Sequence, residues 1–309
     1  MKVVFMGTSD FAVPSLAKLI DSHYRIMGVV TQPDRPRGRG KKSLPSPIKE
    51  LALQHGLKIL QPERIKEEDP IEVLRNWDAD LIIVVSYGQI LPPEILDLPL
   101  LGCINVHASL LPHYRGAAPI QRAIMAGDEV TGVTTMCMDI GLDTGDIILQ
   151  KPVNIDPDMD HGALQEVLAA AGADLLIDTL AVLASGSFPR RKQDNHRSSY
   201  APRLTREEEK INWQDTAINI RNRIRALSPQ PAAYTSFGDS RFKIFRSRVV
   251  DQGASGVAGL VLAVTPQGFQ VQTGQGILEV LEVQKQGKKR IASSEFLKGF
   301  ALVPGEILT

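Results

Sequence analysis

Apolar residues in the first half of the chain occur in short runs of strand length, separated by amphipathic stretches with helical spacing. The strand-length runs are 3–6, 26–31, 57–60, 81–85, 103–107, 133–138 and 147–150. The helical stretches include 14–20, 47–55 and 118–126. Nearly continuous apolar strands that alternate with helices are typical of an open, mostly parallel sheet covered on both faces. We therefore expect a doubly wound α/β domain, whose ligands bind beyond the carboxyl ends of the strands.

The pattern changes in the second half of the chain. Helical spacing from 161 to 185 predicts one long helix, with Gly186 as its C-terminal cap. A second helical stretch covers 216–227, and the period then becomes two in the segments 234–237, 242–250, 259–264, 269–273 and 277–283. Short alternating strands joined by glycine-containing turns predict a small, closed, OB-like β-barrel.

A polar, basic stretch with two prolines lies between these two patterns and suits a linker. We therefore predict an α/β domain over 1–189, a basic linker over 190–205 and a β-barrel domain over 206–309.

The chain has 309 residues, with 35 Lys+Arg against 35 Asp+Glu, and this neutrality is unevenly distributed. Residues 1–189 carry 16 basic and 24 acidic side chains, a net charge of −8, whereas residues 190–309 carry 19 and 11, a net charge of +8. Such asymmetry indicates a polyanionic partner for the basic part. The 43% hydrophobic content excludes a disordered or fibrous chain.

Cellular location follows from cysteine usage and from the apolar runs. With only Cys103 and Cys137, a disulfide framework is excluded and a reducing compartment is favoured. The N-terminal residues lack the features of a signal peptide, and we expect no segment to reach the about 18 apolar residues that span a bilayer. We predict a soluble, cytoplasmic protein that acts as a monomer and has no membrane partner.

The first strand-to-helix turn, Gly7 to Ala12, lies where a dinucleotide fingerprint would occur. Ser9 and Ala12 replace the second and third glycines of that fingerprint, and no acidic residue ends the second strand. We therefore interpret this segment as an ordinary tight turn and expect no bound NAD.

The run at 103–107 and the residues after it carry polar side chains at alternating positions. In a strand, Asn105, His107 and Ser109 share one face, at the edge of the sheet where ligands bind. A single histidine in a strand is more often structural than catalytic, but the neighbouring asparagine favours a functional site.

A second polar segment runs from Asp139 to Asp146. Gly141 and Gly145 allow a tight loop that presents the Asp143 carboxylate, although an ordinary acidic turn has the same composition. Zinc is not expected, because only one histidine accompanies these aspartates. Spacing alone leaves a magnesium site open.

These motifs resemble those of the folate-dependent formyltransferases, in Asn105-Val106-His107, Ser109-Leu110-Leu111-Pro112 and Gly141-Leu142-Asp143-Thr144-Gly145-Asp146. Further motifs, such as Pro33 to Gly40 and Tyr200 to Leu204, resemble the members of that family that formylate methionyl-tRNA. The resemblance implies transfer of a formyl group from 10-formyltetrahydrofolate to the α-amino group of initiator methionyl-tRNA, without a metal. It also implies a Rossmann-like catalytic domain and a barrel that contacts tRNA.

The resemblance assigns roles to individual residues. It implies that Asn105, His107 and Asp143 are catalytic. The residues implied in folate binding are Ser86, Tyr87, Gly88, Gln89, Ile90, Ser109, Leu110, Leu111, Pro112, Asp139, Ile140, Gly141 and Leu142. Those implied in tRNA binding are Arg35, Arg37, Arg39, Lys41, Lys42, Arg203, Arg221 and Arg225.

The chemistry of amine formylation supports the same catalytic residues. Attack of an amine on a formyl carbon creates an oxyanion and a positive nitrogen, so the site needs hydrogen-bond donors and a proton acceptor. Asn105 and His107 supply donors, and Asp143 orients the histidine and accepts the amine proton directly or through water.

The basic residues permit two interpretations. By itself, the arginine-rich segment at 35–42 has the composition of a solvated loop, but the resemblance favours a grip on the tRNA acceptor stem. Strict alternation along the strand at 242–250 predicts that its basic side chains do not all share one face.

Two alternative functions remain open at this point. A formyltransferase that acts on glycinamide ribonucleotide or on a sugar nucleotide would need neither the arginine-rich loop nor a basic barrel. A non-catalytic RNA-binding protein that keeps the fold would be favoured by the loss of Asn105, His107 or Asp143, and all three are present.

Overall fold

The computed structural model describes residues 1–37, 42–186, 188 and 190–309, and these form two compact units. The first unit comprises Met1–Pro119, Val130–Asn154 and Gln165–Ala201, and the second comprises Ile120–Glu129, Ile155–Leu164 and Pro202–Thr309. Part of the expected linker, 190–201, thus lies in the first unit. The domain boundaries drawn after residues 189 and 205 stay a prediction.

The first unit is built on a seven-stranded sheet of order β10-β9-β7-β6-β1-β2-β5. Up to residue 201 the strands are β1 Lys2–Gly7, β2 Arg25–Val30, β3 Arg35–Arg37, β4 Lys42–Leu44, β5 Ile59–Leu60, β6 Leu81–Val85, β7 Cys103–His107, β8 Arg115–Gly116, β9 Val130–Cys137, β10 Ile147–Asn154 and β11 Tyr200–Ala201. The helices are α1 Val13–Ile20, α2 Pro47–Gln54, α3 Glu68–Trp77, α4 Pro93–Leu96, α5 Pro119–Ala126 and α6 His161–Ala184.

The central strands of this sheet are parallel and apolar. Strands β5, β2, β1, β6 and β7 run parallel, whereas β9 and β10 add an antiparallel edge. All five residues of β6 are buried, as are the last five of β1. Burial on both faces of the central strands explains why their sequences are continuously apolar. The predicted doubly wound, mostly parallel sheet is confirmed.

Helix α6 corrects one expectation from the sequence. By length and composition this 24-residue helix could cross a membrane, although no such segment was expected. In the structure 56% of its most apolar window is buried, and Leu168, Leu176 and Leu180 are inaccessible to solvent. Long apolar helices in the core of a protein meet the same criteria of length and composition.

The second unit contains an antiparallel sheet of order β12-β13-β16-β15-β14, with β17 paired to β16. Its strands are β12 Ala233–Phe237, β13 Ser240–Asp251, β14 Val261–Val264, β15 Phe269–Gln272, β16 Ile277–Lys285 and β17 Ile291–Ala292, and its further helices are α7 Ala217–Leu227 and α8 Ser293–Leu297. The core of this unit includes Ile224 from α7 and Phe242 from β13, both at most 1% exposed.

The last residues of the chain join the two outer strands of this sheet. On the β12 side, the Ser236 amide donates to the Thr309 carbonyl at 2.7 Å, and the Thr309 amide donates back at 2.9 Å. On the β14 side, the Leu308 amide donates to the Gly259 carbonyl at 2.9 Å. Because backbone hydrogen bonds therefore continue from one edge strand to the other, the sheet forms the predicted OB-like barrel.

This closure predicts a difference between two glycine substitutions. Gly259 has φ +85°, and a Cβ there would lie 2.3 Å from the Leu308 carbonyl oxygen, whereas Gly238 has φ +52° and open space around it. We expect Gly259→Ala to lower the free energy of unfolding by about 3 kcal/mol, through backbone strain and displacement of the tail. Gly238→Ala, the matched control, carries the strain alone and should cost about 1 kcal/mol. Equal losses in urea unfolding would contradict the closure.

Candidate active site

Strand β7 brings two polar side chains to the carboxyl edge of the sheet. Asn105 and His107 lie two residues apart and so share one face, while Ile104 and Val106 are buried on the other. Asn105 is half-buried, and His107 is 6% exposed. The predicted alternation is confirmed for 104–107, but β7 ends at His107, so Ser109, which was predicted to share the face of Asn105 and His107, lies in the loop that follows.

The contacts of His107 determine its neutral tautomer. Its Nε2 lies 2.9 Å from the Tyr114 carbonyl oxygen, which can only accept, so Nε2 carries the proton. The other ring nitrogen, Nδ1, therefore faces the Asp143 Oδ2 atom, 3.7 Å away. A second proton taken up on the imidazole at Nδ1 would lie against this carboxylate.

Asp143 lies in the loop between β9 and β10, in a left-handed conformation with φ +53°. Its Oδ2 atom accepts a hydrogen bond from the Gly116 amide at 2.8 Å, and its side chain is 15% exposed. The loop after β7 thus supplies a carbonyl to His107 and an amide to Asp143. Two polar segments far apart in the sequence meet at this point, as predicted.

Close backbone approaches shape the loop that carries Asp143. A Cβ on Gly145 would lie 1.8 Å from the Cys137 carbonyl oxygen, so no larger residue fits without moving the chain. The Asp139 Oδ1 atom accepts from the Gly141 amide at 3.0 Å and from the Thr144 hydroxyl at 2.7 Å. Asp139, which the resemblance assigned to the folate pocket, therefore orders this loop.

The segment 109–112 is held by a network of internal hydrogen bonds. Ser109 is fully buried, and its hydroxyl donates to the His113 carbonyl at 2.6 Å. The Thr134 hydroxyl donates to the Ser109 carbonyl and accepts from the Leu111 amide. Leu111 is 3% exposed, and Leu110 and Pro112 are half-buried. Ser109 and Leu111 therefore fix this segment, which leaves Leu110 and Pro112 more accessible to a ligand.

The segment 86–90 follows β6 and combines anchored with exposed positions. Tyr87 is 1% exposed, and burial raises the pKa of its phenol. The Gln89 Oε1 atom accepts from the Ile65 amide at 2.8 Å. Ser86 and Gly88 are exposed, and the Ile90 side chain is 87% exposed. Tyr87 and Gln89 thus hold the loop, while the other three positions face solvent.

Exposed apolar side chains also occur in the Asp143 loop. Ile140 is 84% exposed and Leu142 is 54% exposed. Together with Ile90, they give these two loops apolar surface that the core does not use, as expected where a flat aromatic ligand binds.

The two cysteines are not suited to nucleophilic catalysis. Burial, with a smaller contribution from Asp97, raises the pKa of the Cys103 thiol to about 12. Burial also raises the pKa of Cys137. Both thiols are therefore protonated near neutral pH. In the described part of the chain, no three His, Cys, Asp or Glu side chains cluster in a way that could hold a metal ion.

The residues predicted to bind tRNA differ in how the structure places them. Arg35 is exposed and pairs with Glu63 at 3.2 Å. Arg37 and Lys42 lie in the β3–β4 hairpin, while Arg39 and Lys41 lie outside the described residues. Arg203, a residue of the second unit, is exposed.

Two further arginines that were predicted to bind tRNA form hydrogen bonds within the second unit. Arg221 donates to Asp158 at 2.8 Å, and the Arg225 Nε atom donates to the Met159 carbonyl at 2.9 Å. Burial, followed by repulsion from Arg221, lowers the pKa of Arg225. These contacts favour a structural role for both arginines over the predicted RNA contact.

Comparison with known proteins gives the family. Residues 1–180 match the family described as formyl transferase, and residues 203–301 match the formyl transferase C-terminal domain. The chain belongs to the formyl transferase family. The catalytic alternatives considered above lie inside this family, whereas a binding protein without catalytic residues would have to have lost the groups that meet at β7.

Relatives within the family resemble the chain over its full length. It is 55% identical over 309 residues to a methionyl-tRNA formyltransferase of Syntrophomonas wolfei, and the match covers 100% of this chain and 98% of the relative. It is 51% identical to the enzyme of that name from Moorella thermoacetica, with 100% and 99% coverage. HypX from Aquifex aeolicus, solved in complex with tetrahydrofolic acid, shares the fold with a TM-score of 0.66 and 16% identity, over 100% of this chain and 50% of that one.

Proposed function

We propose that this protein transfers a formyl group from 10-formyltetrahydrofolate to the α-amino group of initiator methionyl-tRNA, giving N-formylmethionyl-tRNA. The observation that carries the proposal is the convergence of Asn105, His107 and Asp143 at the carboxyl end of β7. Relatives at 55% and 51% identity bear the name of this activity. We also propose that the protein works as a cytoplasmic monomer.

Donors at the end of β7 suit the oxyanion of the tetrahedral intermediate. The half-buried Asn105 carboxamide has two N–H donors and carries no charge. A proton on the His107 Nδ1 atom would provide a further, charge-assisted donor beside Asp143. Donors fixed by the strand need no reorganisation when negative charge develops on the formyl oxygen.

Asp143 has a second task in this proposal, because the attacking amine must lose a proton. An α-amino group has a pKa of roughly 7.7 to 8.0, so an appreciable fraction is already neutral near pH 7. As the C–N bond forms, that nitrogen becomes positive, and Asp143 accepts its proton directly or through water. The Gly116 amide occupies one side of the Oδ2 atom and fixes the carboxylate while it does so.

For the folate, we propose a pocket formed by the exposed parts of the two apolar loops and of the segment after β7. Ile90, Ile140 and Leu142 offer apolar surface to the pterin ring, and Leu110 and Pro112 are the accessible residues of segment 109–112. The buried residues of these segments, such as Tyr87 and Ser109, hold the backbone that carries the pocket residues.

For the tRNA, we propose that the outer face of β13 binds phosphates. Irregular pairing with β16 near Arg246 interrupts the alternation along the strand. Phe242, Ile244 and Ser247 are buried, whereas Arg241, Arg246 and Arg248 are exposed. We propose that this irregularity brings the three exposed arginines to one face of the strand, although strict alternation would separate them.

A carboxamide at position 143 tests the proposed chemistry. Asp143→Asn keeps the size of the side chain but cannot accept the amine proton, so we expect kcat to fall about 1,000-fold. Because the folate pocket is unchanged, the Kd for 10-formyltetrahydrofolate should stay within about twofold of the parent value. Asp146→Asn, in the same loop, is the matched control and should keep its kcat. Near-normal turnover of Asp143→Asn would remove Asp143 from the mechanism.

Salt dependence tests the proposed tRNA face. Other groups hold three basic side chains of β13: Tyr234 stacks on Arg241, the Pro231 carbonyl accepts from Lys243, and Glu279 pairs with Arg248. We therefore choose Arg246 for substitution.

Arg246→Gln should weaken binding of charged tRNA and reduce the slope of log Kd against log salt concentration by about 1, since one phosphate contact is lost. Arg75→Gln, an exposed arginine of α3, should leave both quantities unchanged. An unaltered slope for Arg246→Gln would contradict a phosphate contact at this residue.

A further inference from the structure

The predicted linker covers 190–205, but in the structure its residues 190–201 hydrogen-bond to both loops that form the proposed catalytic site. We call this segment the strap. Its Arg191 exchanges backbone hydrogen bonds with Ile147, just after the Asp143 loop, at 2.9 and 3.0 Å. Its Ser199 carbonyl accepts from the Arg115 amide at 2.9 Å, in the loop after β7. The strap therefore belongs to the architecture of the site.

One side chain of the strap contacts both loops at once. The Gln193 Oε1 atom accepts from the Arg115 Nε and Nη2 atoms at 3.0 and 2.8 Å. Its Nε2 atom donates to the Asp143 carbonyl at 2.9 Å and to the Gly145 carbonyl at 2.7 Å. A single half-buried carboxamide thus makes four hydrogen bonds, two to each loop.

These bonds restrain the Asp143 carboxylate from two sides. Asp143 has φ +53°, a conformation that costs an L-residue energy and persists only where surrounding contacts hold it. Gln193 binds the carbonyl of this residue directly. It also holds Arg115, whose neighbour Gly116 donates its amide to the Asp143 carboxylate. Rotation of the Asp143 backbone would move Oδ2 away from His107.

We propose that Gln193 is a positioning residue for formyl transfer, which holds the Asp143 carboxylate beside His107 through this pair of loops. The inference rests on the catalytic role proposed for Asp143. The hydrogen bonds of Gln193 reach neither the Asp143 carboxylate nor the His107 imidazole. Gln193 acts through the position of Asp143.

Among residues of this length, only glutamine can both accept hydrogen bonds from Arg115 and donate them to the Asp143 and Gly145 carbonyls. Glutamate would keep the acceptors for Arg115, but it has no N–H for the two carbonyls and would repel them. Methionine has the same length without either function. Gln193→Glu is therefore nearly isosteric: it removes the donors that hold Asp143 and adds a negative charge beside the two carbonyls, whereas Gln193→Met removes the donors without adding a charge.

The test is a double-mutant cycle on kcat, with Asp143→Asn, Gln193→Glu and the double variant measured in steady-state assays. We expect Gln193→Glu to lower kcat about 10- to 100-fold, in the range found for outer groups that orient a reacting side chain, with KM for the folate and for charged tRNA unchanged. The double variant should be no slower than Asp143→Asn, because Gln193 acts only through Asp143. Gln54→Glu, an exposed glutamine at the end of α2, is the matched control and should behave like the parent.

These variants distinguish a failure of the positioning role of Gln193 from a failure of the catalytic role of Asp143. A normal kcat for Gln193→Glu, or effects that multiply in the double variant, would overturn the positioning role while leaving the proposed function intact. A normal kcat for Asp143→Asn would instead overturn the catalytic role of Asp143. If thermal unfolding shows that Gln193→Glu does not fold, Gln193→Met enters the same cycle with the same expected outcomes.

Discussion

The site depends on one hydrogen bond, from the Gly116 amide to the Asp143 carboxylate. This bond joins two loops that leave different strands, and His107 bridges the same pair of loops through Tyr114 and Asp143. Without it, the end of β7 would present an asparagine and a histidine with no proton acceptor beside them. The rest of the first unit serves to bring these two loops to that distance.

Several independent constraints maintain that contact. The parallel sheet fixes where β7 ends, and the antiparallel β9 and β10 place the Asp143 loop at the same edge. Gly145 allows the loop to approach the Cys137 carbonyl, and the Asp139 carboxylate accepts a hydrogen bond from Thr144 across the loop. Because these constraints arise from backbone approaches, small changes far from the reacting atoms are expected to alter the rate.

The sequence predicted much of this arrangement, because the relevant signals are local. Strands β6 and β7 begin and end at the predicted residues. The run of β6 is bounded by Asp80 and Ser86, and that of β7 begins directly after Gly102. Helix α3 was not among the helical stretches singled out from the sequence, although its first turn is acidic and its buried Pro70, Ile71, Leu74 and Trp77 have helical spacing. The long-range partners of Asp143 gave no sequence signal, because a backbone amide or carbonyl is the same in every residue. Gln193 was hidden in a stretch whose composition is typical of a linker.

The excess of basic residues has a structural counterpart in the second unit, where Arg241, Arg246 and Arg248 of β13 are exposed and the pairing of this strand with β16 is irregular. The most direct test of the proposed function is an acceptor competition. Charged initiator methionyl-tRNA and glycinamide ribonucleotide are offered together with 10-formyltetrahydrofolate, and the formylated product is identified. We expect formyl transfer to the α-amino group of methionyl-tRNA alone. Transfer only to glycinamide ribonucleotide would contradict it.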